Sequence, residues 1–245
     1  DIGSYKWTAL SQFNGNFNGN NFSINGLYVN ELEDFQGLFG KVENSCLNNI
    51  KILNCYVKGK EYVGALAGFT SSSQIINCHV EGSIYAESHA GGIVGSTIGE
   101  NSYEHTGDYF YYCSSHGIVQ SIYEYAAGIS GAASEMYNCF SSANVKVIGM
   151  FGAGGLLTTL SGTMVNSYST GNVNGYMYNG GLVADMRSNS SIVNCYATGI
   201  VTGMGYNIVE GPYDGGLVGV TGYNDTIKYA YAREDYVNHP LIGNF

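Results

Sequence analysis

The stretch GGLVADMRSNSSIVNCYATGIVTG, residues 180 to 203, sets a thiol at Cys195 a short way along the chain from a carboxylate at Asp185 and a guanidinium at Arg187. These are the parts of a covalent nucleophile with helpers. A cysteine nucleophile, however, needs a histidine or an electropositive setting that lowers its pKa. Among the six cysteines the one defensible pairing is Cys78 with His79, and strand alternation puts those two side chains on opposite faces. A second chemistry is offered by GSTIGENSYEHTGDYFYY, residues 95 to 112, which carries Glu104, His105 and Asp108 among Tyr103, Tyr109, Phe110 and Tyr111. Glu104 and Asp108 form the best local pair for glycoside hydrolysis, which uses two carboxyls roughly 5–10 Å apart. Tyr103, His105 and Tyr109 have the aromatic and imidazole character that binds sugars or cations. A later loop, TGMGYNIVEGPYDGG (202–216), adds Tyr206, Glu210, Tyr213 and Asp214. A polysaccharide lyase would need cationic groups or a bound metal against a uronate, and the chain has two arginines, Arg187 and Arg233, neither in an acidic cluster that would hold calcium.

What positions these residues is a repeat. Seven glycine motifs, QGLFG (36–40), GALAG (64–68), GGIVG (91–95), AGISG (127–131), GGLLT (154–158), GGLVA (180–184) and GGLVG (215–219), follow one another at intervals of 28, 27, 36, 27, 26 and 35 residues. Each precedes a second segment: IKILNCYV, QIINCHV, FYYCSS, MYNCFSS, MVNSYST, IVNCYAT and IKYAYA. A period of 20–50 residues marks a solenoid, propeller or array. Both segments are short, rich in Val, Ile, Tyr and Thr, and bounded by Gly, Asn and Ser, so they predict strands with bends between them. A propeller blade needs about 40–45 residues. The prediction is therefore an all-β parallel β-helix of about seven coils of roughly 27 residues. Stacked at ~4.8 Å, such coils make a rod on the order of 35 Å long.

Columns then follow from the alignment. Ile52, Ile75, Phe110, Met136, Met164, Ile192 and Ile227 are expected to face the core. Asn54, Asn77, Tyr112, Asn138, Asn166, Asn194 and Tyr229 are expected at a corner, since asparagine tolerates left-handed backbone and its amides ladder along a stack. Cys55, Cys78, Cys113, Cys139, Ser167, Cys195 and Ala230 read as small inward residues rather than as reactive thiols. The next column, Tyr56, His79, Ser114, Phe140, Tyr168, Tyr196 and Tyr231, is expected to point outward as an aromatic stripe, and Tyr62, His89, Tyr125, Tyr178 and Tyr213 as a second.

The pattern GG-[LI]-V-G followed by N-C-Y-A-T-G resembles the GLUG repeat of bacterial and archaeal surface proteins, and FNGNFNGNNFSINGLYV (13–29) resembles the segment that leads such arrays. The resemblance covers residues 13 to about 232 and implies a β-solenoid module of large exported proteins, including adhesin-like proteins and those that accompany IgA-cleaving peptidases. It carries no catalytic residue. The chain is expected to be one domain, with a lead-in or cap at 1–35, repeats at 36–232 and a C-terminal cap at 233–245.

Charge narrows the partners. Nine Lys and Arg against nineteen Asp and Glu give a net charge of −10, which disfavours nucleic acid and anionic membranes. No apolar run is long enough for a membrane helix, and no cofactor or metal signature is present. The expectation is a non-catalytic, extracellular or cell-surface binding or spacer module without a cofactor. It would contact glycans or a host surface protein, and neighbouring domains of a larger chain, through Tyr56, Phe140, Tyr168, Tyr196 and Tyr231, with Tyr103, His105 and Tyr109 as a loop contribution. A glycan-active enzyme using Glu104 and Asp108, or a purely structural stalk, are the alternatives.

Overall fold

A computed structural model describes residues 6–98, 107–203, 213–233 and 241–244. The described residues contain strands and no helix, arranged as parallel sheets of 15, 12 and 6 strands. Every pairing between coils is parallel, as a β-solenoid requires. Leu47, Ile75, Phe110, Met136, Met164, Ile192 and Ile227 lie in one register line of the 15-stranded sheet, spaced by 28, 35, 26, 28, 28 and 35 residues. This is the predicted solenoid of about seven turns, with about 28 residues per turn against the roughly 27 expected. Residues 10–30 add strands beneath the first repeat, paired with Phe39–Glu43, Cys46–Asn48 and Lys51–Lys58.

The register corrects the first repeat. Leu47, not Ile52, stands under Ile75, and Lys51, not Tyr56, stands under His79. The corner of this coil is therefore Asn49, with Ile50 where later coils place a thiol. The segment LNCYV matches later copies in composition but sits five residues too far along. Asn54 is also left-handed, at φ 52°, because it belongs to a bulge where Cys55 faces Gly82. Two asparagine corners of one backbone handedness, five residues apart, made the alignment ambiguous.

At the corner itself the asparagine reading holds. Asn49, Asn77, Asn138, Asn166 and Asn194 have φ between 51° and 56°. Their amides ladder along the rod, Asn77 to Asn49 at 2.7 Å, Asn166 to Asn138 at 3.2 Å and Asn194 to Asn166 at 2.6 Å. One residue further, the thiols of Cys113, Cys139 and Cys195 turn inward and donate to the carbonyl oxygen two residues back, at 3.2–3.3 Å. They also accept, or are matched by a hydroxyl that accepts, the amide of the neighbouring coil: Cys113 N–H to Cys139 Sγ, Cys139 N–H to Ser167 Oγ and Ser167 N–H to Cys195 Sγ. Small volume is thus half of the requirement. The position also wants a group that donates and accepts, which is why Ser167 can replace a thiol.

The glycine pairs have separate causes. A Cβ on Gly91, Gly154, Gly180 or Gly215 would collide with the carbonyl oxygen three residues ahead in the same bend. A Cβ on Gly92, Gly128, Gly155 or Gly181 would meet the glycine carbonyl of the next coil and the small residue across the interior, Ser115, Ser141, Ser169 or Ala197. The interior is pinched to backbone distance there, and elsewhere it is filled by Leu66, Ile93, Ile129, Leu156, Leu182 and Leu217, all buried.

Candidate functional site

Of the alternative carboxyl pair, Asp108 alone falls within the described residues. Tyr103, Glu104 and His105 lie outside the described residues, as do Tyr206 and Glu210. Asp108, a candidate for glycoside hydrolysis, is fully buried. It accepts the Ser73 amide at 2.8 Å and continues an interior corner ladder in which Gly15 N–H donates to Ser45 Oγ at 2.9 Å and Ser45 N–H to Ser73 Oγ at 3.2 Å. A carboxylate standing in for a serine explains its burial, and it is a structural acceptor. Asp214 is buried as well, accepting from Asn179 Nδ2 at 2.7 Å. Asp185 and Arg187 pair with each other at 3.3 Å, both partly exposed.

The thiols are poorly suited to nucleophilic work. All six cysteines are free. Burial pushes Cys55 up to about 12 and Cys195 up to about 11. Cys113 is held well above the ordinary thiol range mainly by burial, and Cys78 by its hydrogen bond with Cys113 and by burial. Such groups stay protonated at neutral pH.

The outward column is also rearranged. Its true members are Lys51, His79, Ser114, Phe140, Tyr168, Tyr196 and Tyr231, on the 12-stranded sheet. Phe140, Tyr168 and Tyr196 stack at 5.1 and 4.8 Å with interplanar angles of 6° and 4°. Their separation is the strand spacing itself, so each ring covers the face of the next. Tyr168, covered on both faces, presents only its edge to solvent. The stack contributes ~0.5–1.5 kcal/mol per pair to the sheet, but its middle has no open face for a sugar. Tyr109 stands on the 15-stranded sheet, near Tyr111 and away from this column. The second aromatic column is a seam rather than a surface stripe: Phe35, Tyr62 and His89 stack in series, and Tyr125 and Phe151 continue the row tilted by 43° and 40°. Tyr62 is only 3% exposed.

Tyr56 has a different environment. It pairs with Tyr28 below and with Ser83 above, while Tyr85 pairs with Lys58 two residues along. Tyr56 and Tyr85 are therefore diagonal neighbours, 5.6 Å apart and tilted by 42° instead of stacked. Ser83 is too short to cover Tyr56. The result is a groove of about 350 Å³ walled by Tyr56, Tyr85, Leu32 and Ile122, with Lys58, Glu87 and Gln120 as polar groups. Burial and the neighbouring phenols Tyr28 and Tyr85 raise the Tyr56 hydroxyl, which stays a donor. Sequence reasoning found Tyr56 but missed Tyr85, whose signal, a Tyr in the strand HVEGSIYA, lies outside the repeat motif.

Fold and surface together define a parallel β-solenoid with a grooved and partly aromatic outer face. No family model matches the chain, and no curated protein matches it. Among solved structures it is similar to a Bacteroides ovatus protein described as a "putative immunoglobulin A1 protease", with a TM-score of 0.67 and 19% identity over 92% of this chain and 74% of that one. That likeness shows the fold.

Proposed function

We propose that this chain is a stiff spacer and binding module of an exported protein, of the GLUG-like kind, and that it holds neutral saccharides in the groove over Tyr56 and Tyr85. The observation that carries this reading is the tilt of those two rings. With Tyr56 backed on one face by Tyr28, the tilt of Tyr85 opens a wedge that a sugar ring can enter, and Lys58, Glu87 and Gln120 are placed to bond its hydroxyls. The net charge of −10 disfavours anionic polysaccharides. A resemblance in fold to a protein described as an immunoglobulin A1 protease is in keeping with a module displayed on or released from a cell, where host proteins and glycans are the available partners.

The test is binding of a neutral oligosaccharide panel to wild type, Tyr56→Ala, Tyr85→Ala and Tyr168→Ala, read by calorimetry. Loss in the first two and retention in the third is expected. Equal binding by all four, or none by wild type, would end this assignment of the groove.

A further inference from the structure

A chain of hydrogen bonds fixes the protonation of His79. The backbone amide of Asn20, which can only donate, points at Asn18 Oδ1 at 2.9 Å. That oxygen also accepts from Asn49, at 3.1 Å, so Asn49 presents its Nδ2 downward and its Oδ1 upward. Asn77 must then donate its own Nδ2 to Asn49, at 2.7 Å, leaving Asn77 Oδ1 to face His79 Nε2 at 3.0 Å. An acceptor at that distance requires the hydrogen of a neutral His79 to reside on Nε2. Nδ1 is left with its lone pair, 2.7 Å from Ser114 Oγ, and Ser114 donates to it. A serine hydroxyl on an unprotonated imidazole whose other nitrogen is held by a side-chain oxygen is the arrangement that activates a nucleophile.

The surroundings support this. Ser114 and His79 are register partners on the 12-stranded sheet, with Lys51 on the far side of His79 and Phe140 on the far side of Ser114; between these neighbours Ser114 is 9% exposed, so its hydroxyl is reached only by a small reagent. Partial burial, and secondarily Lys51, lower the His79 pKa, so the imidazole is neutral at neutral pH. The nearby amides are already used by the sheet: Ser114 N–H goes to the Cys78 carbonyl and Phe140 N–H to that of Cys113, both at 3.0 Å. Each missing backbone donor costs roughly 10²–10³ in rate, so both acylation and hydrolysis of the acyl-serine should be slow.

We propose that Ser114 is an activated nucleophile, with His79 as general base and Asn77 as positioning residue, that takes the acyl group of small esters. In the step, Ser114 Oγ bonds to the acyl carbon as its proton passes to His79 Nδ1. The imidazolium then protonates the departing alkoxide as the ester C–O bond breaks. Water, giving a proton to the same nitrogen, cleaves the acyl-serine, and Ser114 recovers its proton. This site lies apart from the Tyr56 groove, and Ser114→Ala should leave saccharide binding unchanged.

The experiment is labelling of the full chain with a fluorophosphonate, from which fluoride leaves, followed by peptide mapping and rate measurement, with folding of each variant checked by circular dichroism. Wild type should carry one adduct, on Ser114, and Ser114→Ala none. His79→Gln should label at least ~100-fold more slowly, the share of a general base. Asn77→Gly, which keeps the left-handed corner, should slow labelling, and Asn77→Asp, which restores an oxygen acceptor, should recover it. No adduct on Ser114, or a His79→Gln rate equal to wild type, overturns the proposal. Unslowed labelling of Asn77→Gly overturns the role of Asn77.

Discussion

Substitution of Asn166, in the middle of the rod, separates the two duties of the corner asparagines. Its φ of 51° is left-handed, and its exposed amide makes two ladder bonds, to Asn138 and from Asn194. Exposed amide bonds are at the low end of the hydrogen-bond range, ~0.5 kcal/mol each. Holding a residue with a Cβ in this region costs ~1–2 kcal/mol. Asn166→Asp keeps an acceptor and tolerates the backbone, so it should cost ~0.5–1 kcal/mol. Asn166→Gly loses both amide bonds and adds unfolded-state entropy, ~1.5–2 kcal/mol. Asn166→Ala loses the bonds and takes the backbone penalty, ~2–3 kcal/mol. The converse variant is Tyr112→Asn, at a corner where a 58% exposed Tyr sits at φ 56° and interrupts the amide ladder between Asn77 and Asn138. It should stabilise by ~1 kcal/mol. Urea unfolding at constant m-value reads all four as midpoint shifts. Should Ala prove no worse than Gly, and Tyr112→Asn bring no gain, backbone handedness is not what selects asparagine.

Further outcomes follow from the same contacts. Iodoacetamide at pH 8 should alkylate Cys46, the partly exposed thiol, and spare Cys55, Cys78, Cys113 and Cys195 in the native protein; peptide mapping that finds any of these four modified as fast as Cys46 contradicts their burial. Cys139→Ser should be nearly neutral, whereas Cys139→Val strands the Cys113 amide and should cost ~1–3 kcal/mol in the same urea assay. Burial depresses His89 from 6.5 to about 4 in spite of the Glu124 carboxylate 3.4 Å away, which alone would act in the opposite sense. The folded state therefore binds fewer protons than the unfolded between these values: stability is full above pH 6.5 and falls by up to ~3 kcal/mol towards pH 4. His89→Phe should remove that part of the acid sensitivity, and equal pH profiles for the two proteins would refute it. Gly154→Ala, with its Cβ directed into the Leu157 carbonyl, should cost more than ~3 kcal/mol or abolish soluble protein, as expression and thermal melts would reveal.

Much of the architecture could be read from residue order. The glycine pairs, the asparagine corners and the inward small residues recur at a fixed offset because every coil solves the same steric problem. The first coil was misread for a physical reason: Asn49 and Asn54 are both left-handed, and only the pairing of Lys51 with His79 distinguishes corner from bulge. Asp108 looked like a loop carboxylate because an acid in a Tyr-rich insertion is ordinarily exposed. The serine ladder that swallows it consists of single residues, Ser45 and Ser73, without a motif of their own.

The sequence by itself determined that the chain is a strand-built repeat of roughly 27 residues per turn with asparagine at the bends, since these features depend on neighbours within one coil. Only the tertiary structure decided which side chains meet. In parallel stacking the decisive neighbour of each residue lies one coil away, 26 to 35 positions along the chain, and that offset varies with every insertion. Thus Phe140, Tyr168 and Tyr196 hide their faces against one another, Tyr56 and Tyr85 stay open over a short Ser83, and Ser114, His79 and Asn77 come within hydrogen-bonding distance across two adjacent coils.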